Sequence, residues 1–299
     1  MKSLARVLRG LRLPAGSDRI LGLNRRNLSY VYAQNRLRDL PIADDKLKTK
    51  ELVGAHGVPV PTTYRVYRHF FELGAVERDL APYDEFVIKP SNGRYGSGIL
   101  VLTERREDGW MDITGTVHRP ADLRRHILDI VFGTYTNELQ SAALVEERVP
   151  QQADMARMSP LGLADVRIIF YREQPTLAML RVPTRRSRGK ANLHQGGIGV
   201  GVDVATGRTV RALWRGQPVE VHPDTGFPLI GFLIPDWEEV VRVGTVTARS
   251  VPLKYIGADI ALSVHGPVLL EINARPGLEI QNVNEVPLRS LLRELGGRR

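Results

Sequence analysis

The sequence has 299 residues, of which 42% are hydrophobic, and this is enough for two modest domains or one large α/β domain. Its net charge of +9 fits an anionic partner such as nucleotide phosphates, an acidic peptide, nucleic acid or a membrane surface, without choosing among them. The absence of cysteine excludes disulfides, thiolate nucleophiles and Cys-ligated zinc.

The first residues predict a short basic amphipathic helix. Leu4, Val7 and Leu8 recur at helical spacing, while Lys2 and Arg6 take the other face. Such a helix can contact a membrane or a partner, or pack on its own domain. No apolar run approaches the ~20 residues that span a bilayer, and the start lacks the apolar core of a signal peptide. We therefore expect a cytoplasmic protein without a transmembrane segment.

The next elements predict a capped helix and a hairpin. The helix covers Asp44–His56, with Asp44 or Asp45 at its start and Gly57 at its end. The prolines that follow require an extended chain from 58 to 64. Two strands with a glycine-bearing turn between them then predict a hairpin, over Glu85–Lys89 and Ile99–Thr103.

The rest of the chain predicts a second sheet with helices. A helix is expected over Ala121–Gln140, followed by a strand at Ala142–Val149 that Pro150 ends. Three apolar segments read as buried strands of the second sheet: Asp165–Tyr171, Thr176–Pro183 and Val268–Ile272. A helix at Asp236–Ser250 is expected to pack against them.

Three side chains near the C-terminus offer oxygen ligands. Glu271 and Asn273 are predicted to share one face of a strand, because alternate strand side chains point the same way, and Asp259 adds a carboxylate. Magnesium takes one or two carboxylates together with nucleotide phosphates. The pattern outlines a magnesium site, with an ordinary polar strand end as the alternative.

The segment Lys89–Gly98 places three glycines between two predicted strands. Backbone N–H groups there can approach phosphate oxygens without side-chain obstruction, and Lys89 adds a positive charge. The segment is neither a Walker loop nor a Rossmann fingerprint, since both of those lead into a helix. A flexible hairpin with a surface lysine is the alternative.

Two further segments carry polar groups suited to a nucleotide or a substrate. Glu146 and Glu147 lie where a strand passes from one lobe to the next, so their carboxylate and backbone groups could read adenine and ribose; an exposed strand end is the alternative. Within Arg181–Val202, a group of cations can neutralise a triphosphate or a carboxylate substrate, with a solvated loop as the alternative. We interpret His194, in this segment, as a hydrogen-bonded structural residue rather than a base.

Taken in order, these motifs resemble the ATP-grasp superfamily, most closely the glutamate ligases that modify a ribosomal protein and their alpha-L-glutamate ligase-like relatives. The resemblance runs from about Asp44 to Glu279. It implies an α+β fold in which two α/β lobes with antiparallel sheets hold ATP between them. The implied parts are an N-terminal arm at 1–45 in place of a full pre-grasp domain, a small lobe with the glycine loop at 46–146, and a large lobe with the metal site at 147–299.

The resemblance also implies a role for each motif residue. The residues expected to bind ATP are Lys46 and Lys89 at the phosphates, Asn92, Gly93, Gly96 and Gly98 in the covering loop, Glu146, Glu147 and Val149 at adenine, and Asp154 at the ribose. Those expected near the transferred phosphate or the acyl intermediate are Arg167, Lys190, Asn192 and Arg275. The implied metal ligands are Asp259, Glu271 and Asn273.

The sequence departs from the family pattern at two places. Arg94 and Tyr95 are bulky where relatives often have small residues, so the loop is expected to close differently over ATP. The short arm at 1–45 leaves the acceptor site open, or completed by a second chain such as the partner in a homodimer.

The implied reaction is ADP-forming ligation of a carboxylate to an amine through an acyl phosphate, with ATP and Mg²⁺ as cofactors. Two ions are expected, with Mn²⁺ as an alternative metal, and the substrates are small molecules or peptides, with glutamate as a candidate. The alternatives are a grasp-fold phosphotransferase and a non-catalytic nucleotide-binding protein. Nucleic acid is not expected, because the cations are scattered without interleaved aromatic residues.

Overall fold

The computed structural model describes residues 20–93, 96–136 and 141–297, and it arranges their strands in two antiparallel sheets. The predictions for the basic N-terminal helix and for Arg94 and Tyr95 lie outside these residues. Within them, no helix is both long enough and apolar enough to cross a membrane.

The helices are α1 (Leu23–Arg26), α2 (Tyr32–Gln34), α3 (Leu40–Asp44), α4 (Lys46–Gly54), α5 (Val76–Leu80), α6 (Pro120–Val131), α7 (Ala153–Met158), α8 (Trp237–Ser250), α9 (Glu279–Asn284) and α10 (Leu288–Gly297). A π-helical turn at Asn27–Val31 joins α1 to α2, and 3₁₀ turns occur at Leu37–Asp39, Phe70–Ala75 and Leu193–Gln195. The strands are β1 (Thr63–Tyr67), β2 (Phe86–Pro90), β3 (Leu100–Arg106), β4 (Gly109–Asp112), β5 (Val117–His118), β6 (Ala143–Glu146), β7 (Asp165–Tyr171), β8 (Gln174–Val182), β9 (Ile198–Val202), β10 (Thr209–Trp214), β11 (Gln217–Pro218), β12 (Tyr255–Ser263) and β13 (Gly266–Asn273).

The smaller sheet has six strands in the order β1-β6-β2-β3-β4-β5. Strands β2 and β3 form the predicted hairpin, with Phe86 opposite Leu102. Helix α6 contributes the apolar side chains Leu123, Ile127 and Ile130 to the core of this sheet. Their spacing of three and four residues keeps them on one helix face, which explains why the helix packs there.

The larger sheet has seven strands in the order β11-β10-β9-β8-β7-β12-β13. Its core includes α8 and also Leu40, Val53 and Val58, from α3, α4 and the turn after α4. The chain from 40 to 58 therefore packs with the larger sheet before the smaller sheet begins. The division of the chain at residues 46 and 146 stays a prediction.

Helix α4 begins as the sequence predicts. The side chain of Asp45 accepts hydrogen bonds from the N–H groups of Leu47, at 2.9 Å, and Lys48, which satisfies two of the unpaired donors of the first turn. The helix ends at Gly54, two residues before the predicted His56, and a turn follows to Gly57, whose φ of 72° is a conformation that glycine adopts without strain.

The helix predicted over Ala121–Gln140 is too long. Helix α6 ends at Val131, because Gly133 has a φ of 83° and its N–H returns to the carbonyl of Ile130. Residues 132–136 form turns, and 137–140 lie outside the described residues.

Strand β9 forms the end of the segment Arg181–Val202, where no strand was predicted. Its glycines allow close packing: a Cβ on Gly199 would lie 2.8 Å from Val283, and one on Gly201 would lie 2.8 Å from Oδ1 of Asn284. Helix α9 therefore packs directly on the backbone of β9. Typical strands contain few glycines, so the sequence pattern did not indicate a strand here.

Strand β13 contains a β-bulge. Asp259 is paired with Glu271, but the next residue of β12, Ile260, is paired with Leu269, so Leu270 is an extra residue. A bulge shifts which face the following side chains take. Leu269 consequently packs in the core, while Leu270, Glu271 and Asn273 line the space between the sheets.

Candidate active site

A cavity of about 1480 Å³ opens between the two sheets. Small-ligand pockets usually occupy about 300–1,000 Å³, so this cavity has room for a nucleotide together with a second substrate. The smaller sheet contributes Val87 and Lys89 to its wall, and the larger sheet contributes Arg167, Asp259 and Glu271. The strands of both sheets thus direct side chains into one shared space.

Lys89 belongs to a buried group of three charges. Glu146, on the neighbouring strand β6, is only 2% exposed and pairs with both Lys89 and Lys50. Lys50 also donates hydrogen bonds to the carbonyl oxygen of Pro61, at 2.8 Å, and to Oγ1 of Thr63, at 3.0 Å. Burial alone raises the pKa of Glu146, but the two lysines outweigh it and hold that pKa below its usual value. Burial also lowers the pKa of Lys50, and the charge of Glu146 partly offsets this.

Lys46 connects the glycine loop to the end of β13. Its Nζ donates a hydrogen bond to the carbonyl oxygen of Gly93, at 3.1 Å, and lies 3.5 Å from Oε2 of Glu271. The α4 N-terminus therefore brings a cation between the loop and an acidic side chain of the opposite sheet.

The two ends of the glycine loop are anchored in the smaller sheet and its helix. The N–H of Asn92 donates to Oγ of Ser141, at 3.3 Å. The carbonyl oxygen of Gly98 accepts a hydrogen bond from Nε2 of His126, at 3.0 Å, and the ring of Tyr135 lies against Gly98. Gly93 and Gly96 line the cavity between these anchors.

Four adjacent strands place charged side chains side by side on the floor of the cavity. In the strand register, Arg167 is opposite Asp259, Asp259 is opposite Glu271, and Asp165 is opposite Arg181. Arg167 donates two hydrogen bonds to Asp259, at 2.7 and 2.6 Å, and Arg181 donates two to Asp165, at 2.6 and 2.7 Å. Arg181 also reaches Asp259, at 2.7 Å. Such paired, charge-assisted bonds fix both side chains in the plane of the contact.

The pKa values of the two buried aspartates in this row shift in opposite directions. Burial raises the pKa of Asp165 to about 6, although Arg181 works against the rise. Burial also opposes ionisation of Asp259, but Arg167 and Arg181 outweigh it and keep its pKa below the usual range. Asp259 therefore stays ionised, held between two guanidinium groups.

The predicted metal ligands differ in how their oxygens are used. Both oxygens of Asp259, which is fully buried, accept hydrogen bonds from arginine. Asn273 turns its Nδ2 toward Asp259 and Glu271, at 3.3 and 3.4 Å, which leaves its Oδ1 out of those bonds. Glu271 and Asn273 line the cavity, and their oxygens suit Mg²⁺. No group of three or more His, Asp or Glu side chains that could hold a metal occurs among the described residues, so a cation here would need the amide and nucleotide oxygens as well.

Further cations line the cavity from loops beside the larger sheet and from α1. Arg188 and Lys190 lie in the turn before Asn192, and the guanidinium of Arg275 lies 5.7 Å from the ring centre of Tyr32. Arg26, from α1, donates a hydrogen bond to the carbonyl oxygen of Pro276, at 2.8 Å. An anionic substrate would meet positive charge here.

Most residues singled out from the sequence line this cavity. Those that do are Lys46, Lys89, Gly93, Gly96, Glu146, Glu147, Val149, Arg167, Lys190, Asn192, Asp259, Glu271, Asn273 and Arg275. Asn92 and Gly98 lie outside the lining and hold the loop ends instead, and Asp154 also lies outside, paired with Arg157 on α7. The assigned roles of all these residues stay predictions.

Sequence reasoning missed several residues of the site. Lys50 follows Lys46 by four residues on a predicted helix, a spacing that places both on one face and could have revealed it. The sequence analysis named Arg181 only as the first residue of a basic segment. Its pairing with Asp165 depends on the register of two strands, which cannot be read from the sequence. Arg26 lies in a part of the chain that carried no recognised motif.

Comparison with known proteins places the chain among nucleotide-binding folds. The family model described as "Sugar-transfer associated ATP-grasp" matches residues 25–297. A probable alpha-L-glutamate ligase of Maridesulfovibrio salexigens is 23% identical over 83% of the chain, and one of Xanthomonas oryzae pv. oryzae is 24% identical over 85%. The aligned parts are 61% and 65% of those relatives, so the chain matches less than two thirds of their length. The alignment with the solved structure of the D-cycloserine synthetase DcsG covers 86% of this chain and 71% of the DcsG chain, at 18% identity and a TM-score of 0.48.

Proposed function

Since the chain belongs to the sugar-transfer associated ATP-grasp family, we propose that it is an ATP-dependent ligase that joins a carboxylate to an amine through an acyl phosphate. The observation that carries the proposal is the cavity itself. Lys89 of the smaller sheet and Lys46 of α4 share with the acidic and amide side chains of the larger sheet a space with room for ATP and a substrate.

Adenine is proposed to bind at the strand end after β6. The side chain of Glu146 is occupied by two lysines, and that of Glu147 accepts a hydrogen bond from the N–H of Thr62, at 3.0 Å. The backbone N–H groups of Arg148 and Val149 make no hydrogen bond to another described residue, and both residues line the cavity. These donors can pair with adenine ring nitrogens, so backbone rather than carboxylate recognition is the form we propose here.

The triphosphate is proposed to lie between Lys46, Lys89 and the glycine loop. The two lysines supply point charges, and the loop supplies backbone N–H groups close to phosphate oxygens. Glu271 and Asn273, with Asp259 behind them, are proposed to hold Mg²⁺. When bound, the metal supplies neutralisation of the charge that develops on the phosphates.

The second substrate is proposed to bind beside the cations that line the cavity. A carboxylate oxygen attacks the γ-phosphorus, ADP leaves, and an amine then attacks the acyl carbon while phosphate leaves. Arg167, Lys190, Asn192 and Arg275 line the cavity and can orient the carboxylate and compensate its charge. Glutamate as the added amino acid, and completion of the acceptor side by a second chain, stay predictions.

The test is release of ADP from ATP and Mg²⁺ in the presence of each of the twenty amino acids, singly and in pairs, with mass spectrometry of the products. We expect an amide product together with ADP and phosphate. Lys89→Ala and Glu271→Ala should abolish turnover, whereas Lys48→Ala, at an exposed position of α4, should not. A phosphorylated hydroxyl product would favour a phosphotransferase instead. Full turnover in either of the two site variants would contradict the site.

A further inference from the structure

A histidine and a glutamate form a pair in the wall of the cavity. Nε2 of His194 lies 3.1 Å from Oε1 of Glu279, and both residues line the cavity. The side chains are 67% and 39% exposed, so this is not a histidine buried to satisfy the core. The sequence-based interpretation of His194 as a hydrogen-bonded structural residue stays the alternative that the experiment below tests.

Local structure fixes the backbone on each side of this pair. The side chain of Asn192 accepts a hydrogen bond from the N–H of His194, at 3.0 Å, at the start of the 3₁₀ turn. Glu279 is the first residue of α9, which packs on β9. Both residues are therefore part of regular structure, His194 in the 3₁₀ turn and Glu279 in α9.

The pair is adjacent to the residues proposed to handle the acyl phosphate. A Cβ placed on Gly277 would lie 2.5 Å from Oε2 of Glu279 and 3.9 Å from Nη1 of Arg167. The glycine therefore separates the carboxylate of the pair from the guanidinium that reaches Asp259. Among the described residues that line the cavity, His194 is the one histidine.

We propose that His194 is the general base that removes a proton from the incoming amine, and that Glu279 positions it. This inference rests on the proposed ligase function. An ammonium group has no lone pair, so it must lose a proton before its nitrogen can attack the acyl carbon. One proton passes to the imidazole, the neutral amine forms the C–N bond, and the C–O bond to phosphate breaks. The second proton that the nitrogen loses in becoming an amide leaves with the departing phosphate.

The pairing assigns different tasks to the two ring nitrogens. Nε2 is the ring nitrogen that faces Glu279, at 3.1 Å, so a neutral His194 with its proton on Nε2 has its lone pair on Nδ1, and we assign Nδ1 as the nitrogen that accepts the proton. The carboxylate then stabilises the imidazolium, as carboxylates do for catalytic histidines in general.

The other acidic groups of the cavity floor are less suited to this task. Both oxygens of Asp165 already accept hydrogen bonds from Arg181, so they are engaged even though burial makes this carboxylate more basic. Asp259 is held by two arginines and Glu271 lies beside Lys46, and pairing of this kind favours the ionised form of a carboxylate. Histidine, which changes charge near neutral pH, is the better match for deprotonating an amine there.

The experiment compares two nucleophiles in His194→Gln, Glu279→Gln and wild-type protein. Hydroxylamine is largely uncharged at neutral pH and needs no base, so its hydroxamate product reports acyl-phosphate formation alone. Amide formation with an amino acid needs the base as well. Glutamate is the first carboxylate used, followed by the other nineteen amino acids. His56→Gln, an exposed histidine outside the cavity, is the matched control.

We expect His194→Gln to form hydroxamate within about twofold of wild type and to lose amide formation by about 100-fold, the usual scale of general base catalysis. Glu279→Gln should also lose amide formation while it keeps hydroxamate formation, by a smaller factor than His194→Gln, because the base is present but no longer positioned. A structural role for Glu279 would instead lower hydroxamate and amide formation together.

Two results would overturn the assignment while leaving the ligase function intact. One is amide formation at the wild-type rate in His194→Gln, and the other is an equal loss of hydroxamate and amide, which would make His194 a substrate-binding residue. If wild-type protein yields hydroxamate with none of the twenty amino acids, the proposed function fails and the inference fails with it.

Discussion

Arg167 stands directly opposite Asp259 in the antiparallel pair of β7 and β12, and its guanidinium group donates to both oxygens of that carboxylate. The strand register thus places the two residues opposite each other, and their opposite charges hold the contact. Because Asp259 is fully buried and also binds Arg181, the contact contributes to folding as well as to the cavity.

The first prediction concerns Asp259→Asn. Removing one member of a buried charged group leaves its arginines without compensation, which costs about 3–5 kcal/mol. We expect a loss of that size in the free energy of unfolding, measured by urea denaturation without ATP. Glu271→Gln, at a partly exposed position beside Lys46, should change it by less than about 1 kcal/mol. Equal stabilities for the two variants would contradict the structural role of Asp259.

The second prediction separates the two lysines bound to Glu146. Hydrogen bonds to charged groups contribute about 1.5–3 kcal/mol, so Lys89→Met should weaken ATP binding by about 10- to 100-fold in calorimetry. Lys50→Met should weaken it less, and should instead lower the free energy of unfolding, because Lys50 also binds Pro61 and Thr63. Lys48→Met on the same helix is the control. If Lys50→Met changes neither quantity, the buried group has no supporting role.

The third prediction is that Gly98→Ala disturbs the glycine loop. The φ of Gly98 is 73°, and a Cβ there would lie 2.8 Å from the ring of Tyr135. Gly57→Ala is a matched control, with a φ of 72° and no atom within 4 Å of the added Cβ. The control should lose about 1–2 kcal/mol of stability from backbone strain alone. Gly98→Ala should lose more and should also bind ATP more weakly, which urea unfolding and calorimetry measure.

The fourth prediction concerns pH and His126, which donates to the carbonyl of Gly98. Burial lowers the pKa of His126, although its bond to Gly98 opposes the change. Below about pH 6.5 the unfolded chain then binds the proton more readily than the folded chain does. The stabilisation is present above that pH and is lost as the pH falls.

Urea unfolding of wild type and His126→Gln, from about pH 8 to about pH 5, checks this prediction. The variant keeps a side-chain donor for Gly98 but does not titrate, so its stability should fall less steeply toward acid. Identical slopes for the two proteins would show that His126 does not contribute to the pH dependence.

The sequence predicted the fold class and the local motifs well, for physical reasons. The family match confirms the ATP-grasp resemblance, and two antiparallel sheets appear where two were expected. A cap such as Asp45 acts within one helical turn, and a buried run such as Asp165–Tyr171 is apolar throughout most of its length. Signals of this kind are contained in a few neighbouring residues and can be read directly.

What the sequence could not supply depends on distant partners. Arg181 meets Asp165 and Asp259 only because three strands align in one register. The pairing of His194 with Glu279 joins residues 85 positions apart, through the packing of α9 on β9. Helix α6 was predicted too long because the apolar pattern continues past Val131, whereas the positive φ of Gly133 ends the helix.

The bulge at Leu270 lets one strand serve two environments. If residues 269–271 paired regularly, Leu269 and Glu271 would point to the same face, because alternate side chains of a strand share a face. The bulge takes up one residue, so Leu269 lies in the core while Glu271 and Asn273 line the cavity. Deletion of Leu270 would leave Leu269 and Glu271 adjacent and in regular alternation, with the same partners on β12. The bulge therefore adds one side chain to the cavity wall without changing which residues face the core.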